Sequence, residues 1–342
     1  MSTRRTFLKN GLGAGAALAL GLPGSRWASA QATTAEEERN KAVVRAFKET
    51  QGTPEHADVL KEIMSPNYNR LRGGFYNLAR NAADQGFPSP GSYLRTAFPD
   101  RHDAIEDIIA DGDMVGMLFR ITGTHRGNFF GIPPTGKTID LHEVGIFKLA
   151  DGQITEAFFM ADEAALLKQL GARLPERKDG RLIPPPISDD GEFGDEVLAR
   201  LRAISPASEE VRNKITVVRT KAPSPPADLR APDYERLRGG FEHLNEYGRA
   251  NNLSDQGIGQ AFPDRRDKVD QVLAEGNRVW MLFRLNGTNT RSLFGMPPSN
   301  SPVQVPELGR MTFVDGQWKI GWYFGDGLGM LLQLGMPNLL LS

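Results

Sequence analysis

Ala97-Phe98-Pro99-Asp100-Arg101 recurs 164 residues later as Ala261-Phe262-Pro263-Asp264-Arg265, and the register then holds without a gap to Gln169-Leu170-Gly171 and Gln333-Leu334-Gly335. Of these 75 positions 29 are identical, among them Met117-Leu118-Phe119-Arg120 with Met281-Leu282-Phe283-Arg284 and Asp151-Gly152-Gln153 with Asp315-Gly316-Gln317. Upstream the match continues with a shifting offset, through Arg39-Asn40-Lys41 against Arg212-Asn213-Lys214 and Arg70-Leu71-Arg72-Gly73-Gly74-Phe75 against Arg236 to Phe241. Each copy is about 135 residues, a length that suits a complete domain rather than a solenoid unit. The expected organisation is a first domain over 33–171, a second, diverged domain over 208–342, and a linker over 172–207. The linker carries Pro184-Pro185-Pro186 and a charged run, and reads as extended with one short helix around Glu196 to Ala203.

Within each copy helices come first and strands last. Ala42, Val43, Ala46 and Phe47 share one side of a helix over Glu36 to Glu49, and Val59, Leu60 and Ile63 continue the pattern over His56 to Met64. The period then changes: Ile105 to Ala110 and Met114 to Thr122 flank the turn Asp111-Gly112, and Thr138 to Leu149 and Gln153 to Ala161 flank Asp151-Gly152. Helices followed by antiparallel hairpins predict an α+β domain in which a curved sheet wraps a pocket that the helices close. Arg72-Gly73-Gly74-Phe75 and Arg238 to Phe241 read as a shared turn into a third helix, with the arginine available to Asp100 or Asp264.

The chain has 342 residues, no cysteine, 39% hydrophobic residues and 41 Lys+Arg against 42 Asp+Glu, which suits two globular domains without a disulfide scaffold. A net charge of -1 disfavours sequence-independent nucleic-acid binding. The long apolar run lies at the N-terminus, where Ser2-Thr3-Arg4-Arg5-Thr6-Phe7-Leu8-Lys9 precedes small apolar residues from Gly11 to Leu22 and Ala28-Ser29-Ala30 offers a cleavage site. Residues 1–30 resemble a twin-arginine export signal. The protein is therefore expected to meet the twin-arginine machinery, to be cleaved near Gln31, and to act in the periplasm or as a secreted protein without stable membrane insertion. An uncleaved N-terminal anchor is the alternative.

Period-two alternation in the last strand puts Trp318, Ile320, Trp322, Phe324 and Asp326 on one face, predicted inward, with Ile154, Glu156, Phe158, Met160 and Asp162 as the matching set. An acid ends an apolar row in both copies.

Gly123-Thr124-His125-x-Gly127-x-Phe129-x-Gly131-Ile132-Pro133-Pro134-Thr135-Gly136-Lys137, then Asp151-Gly152-Gln153-Ile154-x-Glu156, Asp162 and Gln169-Leu170-Gly171 resemble the SnoaL-like polyketide cyclases, or ester cyclases, of the nuclear transport factor two-like superfamily. The second copy departs with Asn289 for His125, Pro306 for His142 and Ile320 for Glu156. The resemblance implies two tandem cone-shaped α+β barrels with a curved antiparallel sheet, each closed by N-terminal helices, a fold often dimeric through its sheet; the duplication would then supply a pseudo-dimer within one chain. It also implies cofactor-free aldol chemistry, with Asp162 at the family's acid/base position.

One carboxyl group can remove a proton beside a carbonyl and later protonate the new alkoxide, provided an apolar pocket raises its pKa. Phe119, Phe158 and Met160 are the expected lining around Asp162, with Glu156, and with Trp322, Phe324 and Asp326 in the second copy, as ligand-binding residues. Asp162 followed by Glu163 and an Ala/Leu run also reads as a helix N-cap. His125 is a candidate donor to a substrate carbonyl or a loop residue beside glycines; Glu143 is a candidate second acid or a water-facing strand residue. No short ligand spacing around His125, His142 and Glu143 supports a metal site, and no cofactor is expected. The expected ligand is a small, largely apolar carbonyl compound, turned over or, alternatively, bound by a non-catalytic binding or scaffold protein.

Overall fold

The computed structural model describes residues 34–51, 53–86, 90–253 and 258–341. The expected export signal and its cleavage site lie outside the described residues. The N-terminal half runs α1 (Thr34–Glu49), α2 (His56–Ile63), β1 (Met64–Arg72), α3 (Tyr76–Asn81), α4 (Pro90–Ala97), β2 (His102–Asp111), β3 (Met114–Thr124), β4 (Thr138–Ala150), β5 (Gln153–Ala161) and α5 (Glu163–Leu170). The C-terminal half follows with β6 (Glu192–Phe193), α6 (Gly194–Arg202), α7 (Glu209–Val218), β7 (Glu235–Arg238), α8 (Glu242–Ala250), α9 (Ile258–Ala261), β8 (Lys268–Glu275), β9 (Arg278–Thr288), β10 (Pro302–Val314), β11 (Gln317–Gly325) and α10 (Gly327–Gln333). Among the described residues no helix is long and apolar enough to cross a membrane.

The chain is thus α+β with two sheets, ordered β1-β5-β4-β3-β2 and β6-β8-β9-β10-β11-β7. Neither sheet closes into a barrel. The predicted hairpins form because their turns supply the left-handed backbone that two-residue connections need: Asp151 and Gly152 have φ of 51° and 75°, and Asp315 and Gly316 have 51° and 72°. One strand per half departs from the expected pattern. β1 runs parallel to β5 and β7 parallel to β11, at sheet edges. Their polar sequences, such as Asn67-Tyr68-Asn69-Arg70, suit an edge and carry no apolar alternation to announce a strand.

The segment 172–207 is tied down on both sides. Leu174 is buried in the N-terminal core, β6 pairs with β8, and Val197 and Leu198 of α6 pack with Val217 and Val218 of α7. Its helix lies where the sequence predicts one.

A β-bulge in each last strand overturns the predicted faces. Leu149 pairs with Ile154 but Lys148 pairs with Glu156, leaving Thr155 as the extra residue; Phe313 pairs with Trp318 but Thr312 with Ile320, leaving Lys319. A one-residue insertion in a period-two strand moves every later side chain to the other face. Ile154, Ala157, Phe159 and Ala161 therefore face their own helices, while Phe158 and Met160 join Trp322 and Phe324 in a separate cluster. That cluster, with Leu118, Val144, Trp280 and Leu308, lies between the two sheets. Burying each such side chain stabilises by about 1.5–3 kcal/mol, so the halves are joined by a core and not merely by a linker.

Candidate active site

In each half the helices and sheet line an open cavity whose wall includes buried charged side chains. In the N-terminal half the cavity is about 330 Å³ and is lined by Lys48, Arg70, Gly74, Phe75, Glu143 and Phe159, among others. In the C-terminal half it is about 600 Å³, with Lys221, Arg236, Gly240, Phe283, Glu307 and Tyr323 among its lining residues.

Helix α1 is amphipathic, and Lys48 in its last turn points inward, where its Nζ lies 2.7 Å from Asp103 Oδ2 and 4.0 Å from Glu143 Oε2. Arg101 grips Asp103 with both Nε and Nη2, at 2.7 and 2.9 Å. The Lys48 ammonium also sits 3.3 Å from the Phe119 ring centroid, a cation–π contact that replaces part of its lost hydration. The C-terminal half repeats this residue by residue. Lys221 lies 2.6 Å from Asp267 and 3.2 Å from the Phe283 centroid, and Arg265 holds Asp267 at 2.7 and 2.6 Å.

These surroundings shift the groups in opposite directions. Burial would raise Asp103 and Asp267, but the adjacent Lys and Arg charges more than offset it, and Asp267 is held down to about 2. Burial pushes Glu143 and Glu307 up, and the nearby cations, lacking a close hydrogen bond to either carboxyl, do not reverse it. Burial lowers Lys48 to about 8 and also lowers Lys221. In each half a firmly ionised aspartate thus anchors two cations of the cavity lining, and a glutamate in the cavity wall holds its proton to higher pH than an ordinary carboxyl.

The repeated glycines let the backbone come close to that glutamate. A Cβ on Gly74 would overlap Glu143 Oε1, and one on Gly240 would overlap Glu307 Oε1.

Of the residues singled out in the sequence, Glu143 is therefore in a cavity wall and buried to 6% exposure, not at a water-facing edge. Phe119 is core beneath Lys48. Glu156, Phe158 and Asp326 line a different cavity of about 300 Å³ between the halves, under Pro185 and Pro186; Met160, Trp322 and Phe324 pack in the inter-sheet cluster.

Asp162 is buried, but the expected apolar chamber around it is absent. It caps α5 by accepting from Ala165 N at 3.0 Å, and its other oxygen lies 3.0 Å from Arg238 Nη2 and 3.1 Å from His243 Nε2 of the other half. The adjoining cavity is about 10 Å³. Burial would raise this carboxyl, yet the His243 hydrogen bond and the His243 and Arg238 charges hold it below the ordinary value, the reverse of the expected shift.

Asp326 mirrors it, capping α10 through Gly329 N at 2.8 Å and accepting from Arg72 Nη2 at 2.6 Å and Asn77 Nδ2 at 2.9 Å. The arginines of the repeated Arg-Gly-Gly-Phe turn thus pair across the halves and not with Asp100 or Asp264, which instead hold Thr124 and Thr288.

His125 is fully buried, stacked 5.2 Å from Phe98, and accepts from Thr135 N at 3.3 Å. Asn289 does the same work, accepting from Ser299 N at 2.8 Å. Both lock the loop before β4 or β10. Among the described residues no cluster of three or more His, Asp or Glu could hold a metal ion.

The SnoaL-like polyketide cyclase family profile matches residues 84–170 and again 255–334. The aklanonic acid methyl ester cyclase DauD of Streptomyces sp. (strain C5) is 25% identical over 146 residues, covering 42% of this chain and 89% of the relative. A SnoaL-like protein from Jannaschia sp. CCS1 is 28% identical, with a TM-score of 0.34 over 41% of this chain and 96% of that one. IdmH of Streptomyces antibioticus is 24% identical, with a TM-score of 0.33, covering 39% and 99%.

Proposed function

We propose that this protein has a cofactor-free acid/base role of the cyclase or isomerase type, carried out in the charged cavities, with Glu143 and Glu307 as the proton carriers. The observation that carries this reading is a buried carboxyl of raised pKa placed in a cavity wall beside a buried lysine and arginine, twice over. A raised pKa makes the carboxylate a stronger base and its conjugate acid available near neutral pH. It removes a proton beside a ligand carbonyl, and the electron pair moves onto the carbonyl oxygen as an enolate; the same carboxyl then returns the proton to carbon, or the enolate carbon attacks a second carbonyl, forming a C–C bond as that C=O π pair becomes an alkoxide, which takes the proton. Lys48 with Arg101, or Lys221 with Arg265, stabilises the developing oxyanion. DauD, whose name gives aklanonic acid methyl ester as its substrate, supports a carbonyl-bearing ligand here.

Asp162 and Asp326 are assigned the joining of the halves, because their second oxygens are occupied by the other half's arginines. We further propose that residues 1–30 direct export and that the protein acts outside the cytoplasm. The test of the chemistry is deuterium uptake beside the carbonyl of keto compounds in D2O, followed by NMR. The full chain should catalyse it and the Glu143→Gln/Glu307→Gln double variant should not; equal rates would dismiss the reading. The alternative of a non-catalytic binding protein would show as a ligand bound by both and returned without deuterium.

A further inference from the structure

The C-terminal cavity carries more positive charge than the proton chemistry uses. Its lining includes five cations, Lys221, Arg230, Arg236, Arg265 and Arg266, against two carboxyls, Asp267 and Glu307. The chain as a whole is balanced at -1, so this excess is local. Lys221 and Arg265 pair with Asp267 and already serve the oxyanion role proposed above, and Arg266 lies 3.6 Å from Asp195.

Arg230 and Arg236 are different. Their guanidinium groups lie over aromatic rings, Arg230 at 5.1 Å from Tyr234 and 4.9 Å from Trp318, and Arg236 at 5.4 Å from Tyr323. Neither has a carboxylate within 4 Å among the described residues. Stacking of this kind fixes the plane of a guanidinium and leaves its N–H edge free, which is the geometry for forked recognition of a carboxylate. Arg230 and Arg236 are exposed, whereas Met281, Phe283, Met311 and Glu307 of the same lining are buried.

The N-terminal cavity is the smaller, and Phe159 stands there at the position of Tyr323. We propose that the C-terminal cavity selects a keto acid in its carboxylate form, holding the carboxylate between Arg230 and Arg236 at the mouth and presenting the carbonyl to Glu307. This deepens the acid/base reading of the same site and rests on it for the orientation of the carbonyl.

The probe is 4-oxo-4-phenylbutanoate, compared with its methyl ester, each titrated against the full chain by ligand-observed NMR at low ionic strength. The acid should bind at least about tenfold more tightly than the ester, a preference that added salt narrows. Arg230→Gln/Arg236→Gln, checked by circular dichroism, should bring the two probes to near parity, and Arg236→Lys should restore part of the difference. Glu307→Gln should keep the preference while losing deuterium uptake at this site. Equal binding of acid and ester, binding of neither, or a preference unchanged in the double arginine variant overturns the proposal. A retained preference together with uptake unaffected by Glu307→Gln leaves the anion site standing and removes the acid/base reading instead.

Discussion

The Trp280 ring packs on Gly116, the residue that occupies its own position in the other copy of the repeat: a Cβ built on Gly116 would lie 2.8 Å from Trp280 Cε3. A pair of N-terminal halves would bring two glycines together at this point, and a pair of C-terminal halves two indoles. The large side chain of one copy fills the space left by the small side chain of the other, so the inter-sheet core fits the mixed pairing. Trp280→Gly should therefore cost about 3–5 kcal/mol in denaturant unfolding, as a large buried aromatic is removed from a packed site. Gly116→Leu should destabilise by about 1–3 kcal/mol through overpacking.

The paired aspartates predict a stability effect and not a chemical one. Asp326→Asn leaves the buried Arg72 guanidinium without its ion-pair partner, and Asp162→Asn takes the carboxylate from the half-buried Arg238 and leaves His243 with Glu246 at 3.4 Å. Each should lower unfolding stability by about 3–5 kcal/mol. Deuterium uptake per folded molecule should stay within a few-fold of the parent for Asp162→Asn.

Glu163 gives a pH signature at the same interface. It accepts from Asn77 N, Asn77 Nδ2 and Leu78 N, and burial together with the Asp326 charge pushes it up to about 8 from 4.5. The folded state then holds a proton that the unfolded chain releases above about pH 4.5. Stability should fall as pH rises from about 5 toward 8, and Glu163→Gln should flatten that slope, read as unfolding midpoints across the range. Asp267 has the opposite sign. Held down to about 2, it stabilises the fold above the ordinary carboxylate range, and that contribution is lost as pH falls toward 2.

His125→Asn should be tolerated, because Asn289 already makes the matching loop contact with a backbone N–H. A loss under about 1 kcal/mol and unchanged uptake are expected; the surface of the cavity is untouched.

Gly74→Ala and Gly240→Ala should each displace the neighbouring glutamate. Loss of uptake with a stability change of about 1–3 kcal/mol is the expected result, measured on the same samples.

Much of the fold was legible because turn chemistry and the internal repeat reinforce one another. Asp151-Gly152 and Asp315-Gly316 fix two hairpins independently of tertiary structure, and the N-cap at Asp162 is written in the Asp-Glu-Ala-Ala-Leu-Leu run. The bulges at Thr155 and Lys319 were not legible, since neither residue type marks an insertion, and they sent Phe158 and Trp322 to the opposite face from that expected. Lys48 and Asp103 are 55 positions apart on a helix and a strand, so no local spacing joins them. Their one visible trace was Arg-x-Asp, standing as Arg101-His102-Asp103 and Arg265-Arg266-Asp267 in both copies. Glu143 was found through the repeat, but its setting was not, because the glycines that crowd it come from a turn far earlier in the chain.

The proton-carrying role of the two cavity glutamates is tested most directly by a carboxyl carbon-13 NMR titration of the full chain labelled at Glu and Asp, with Glu143→Gln, Glu307→Gln and Asp162→Asn to assign the signals. Glu143 and Glu307 should titrate above 4.5 and Asp162 below 3.8. Two glutamates titrating at or below their ordinary value, with Asp162 shifted upward, would contradict the account.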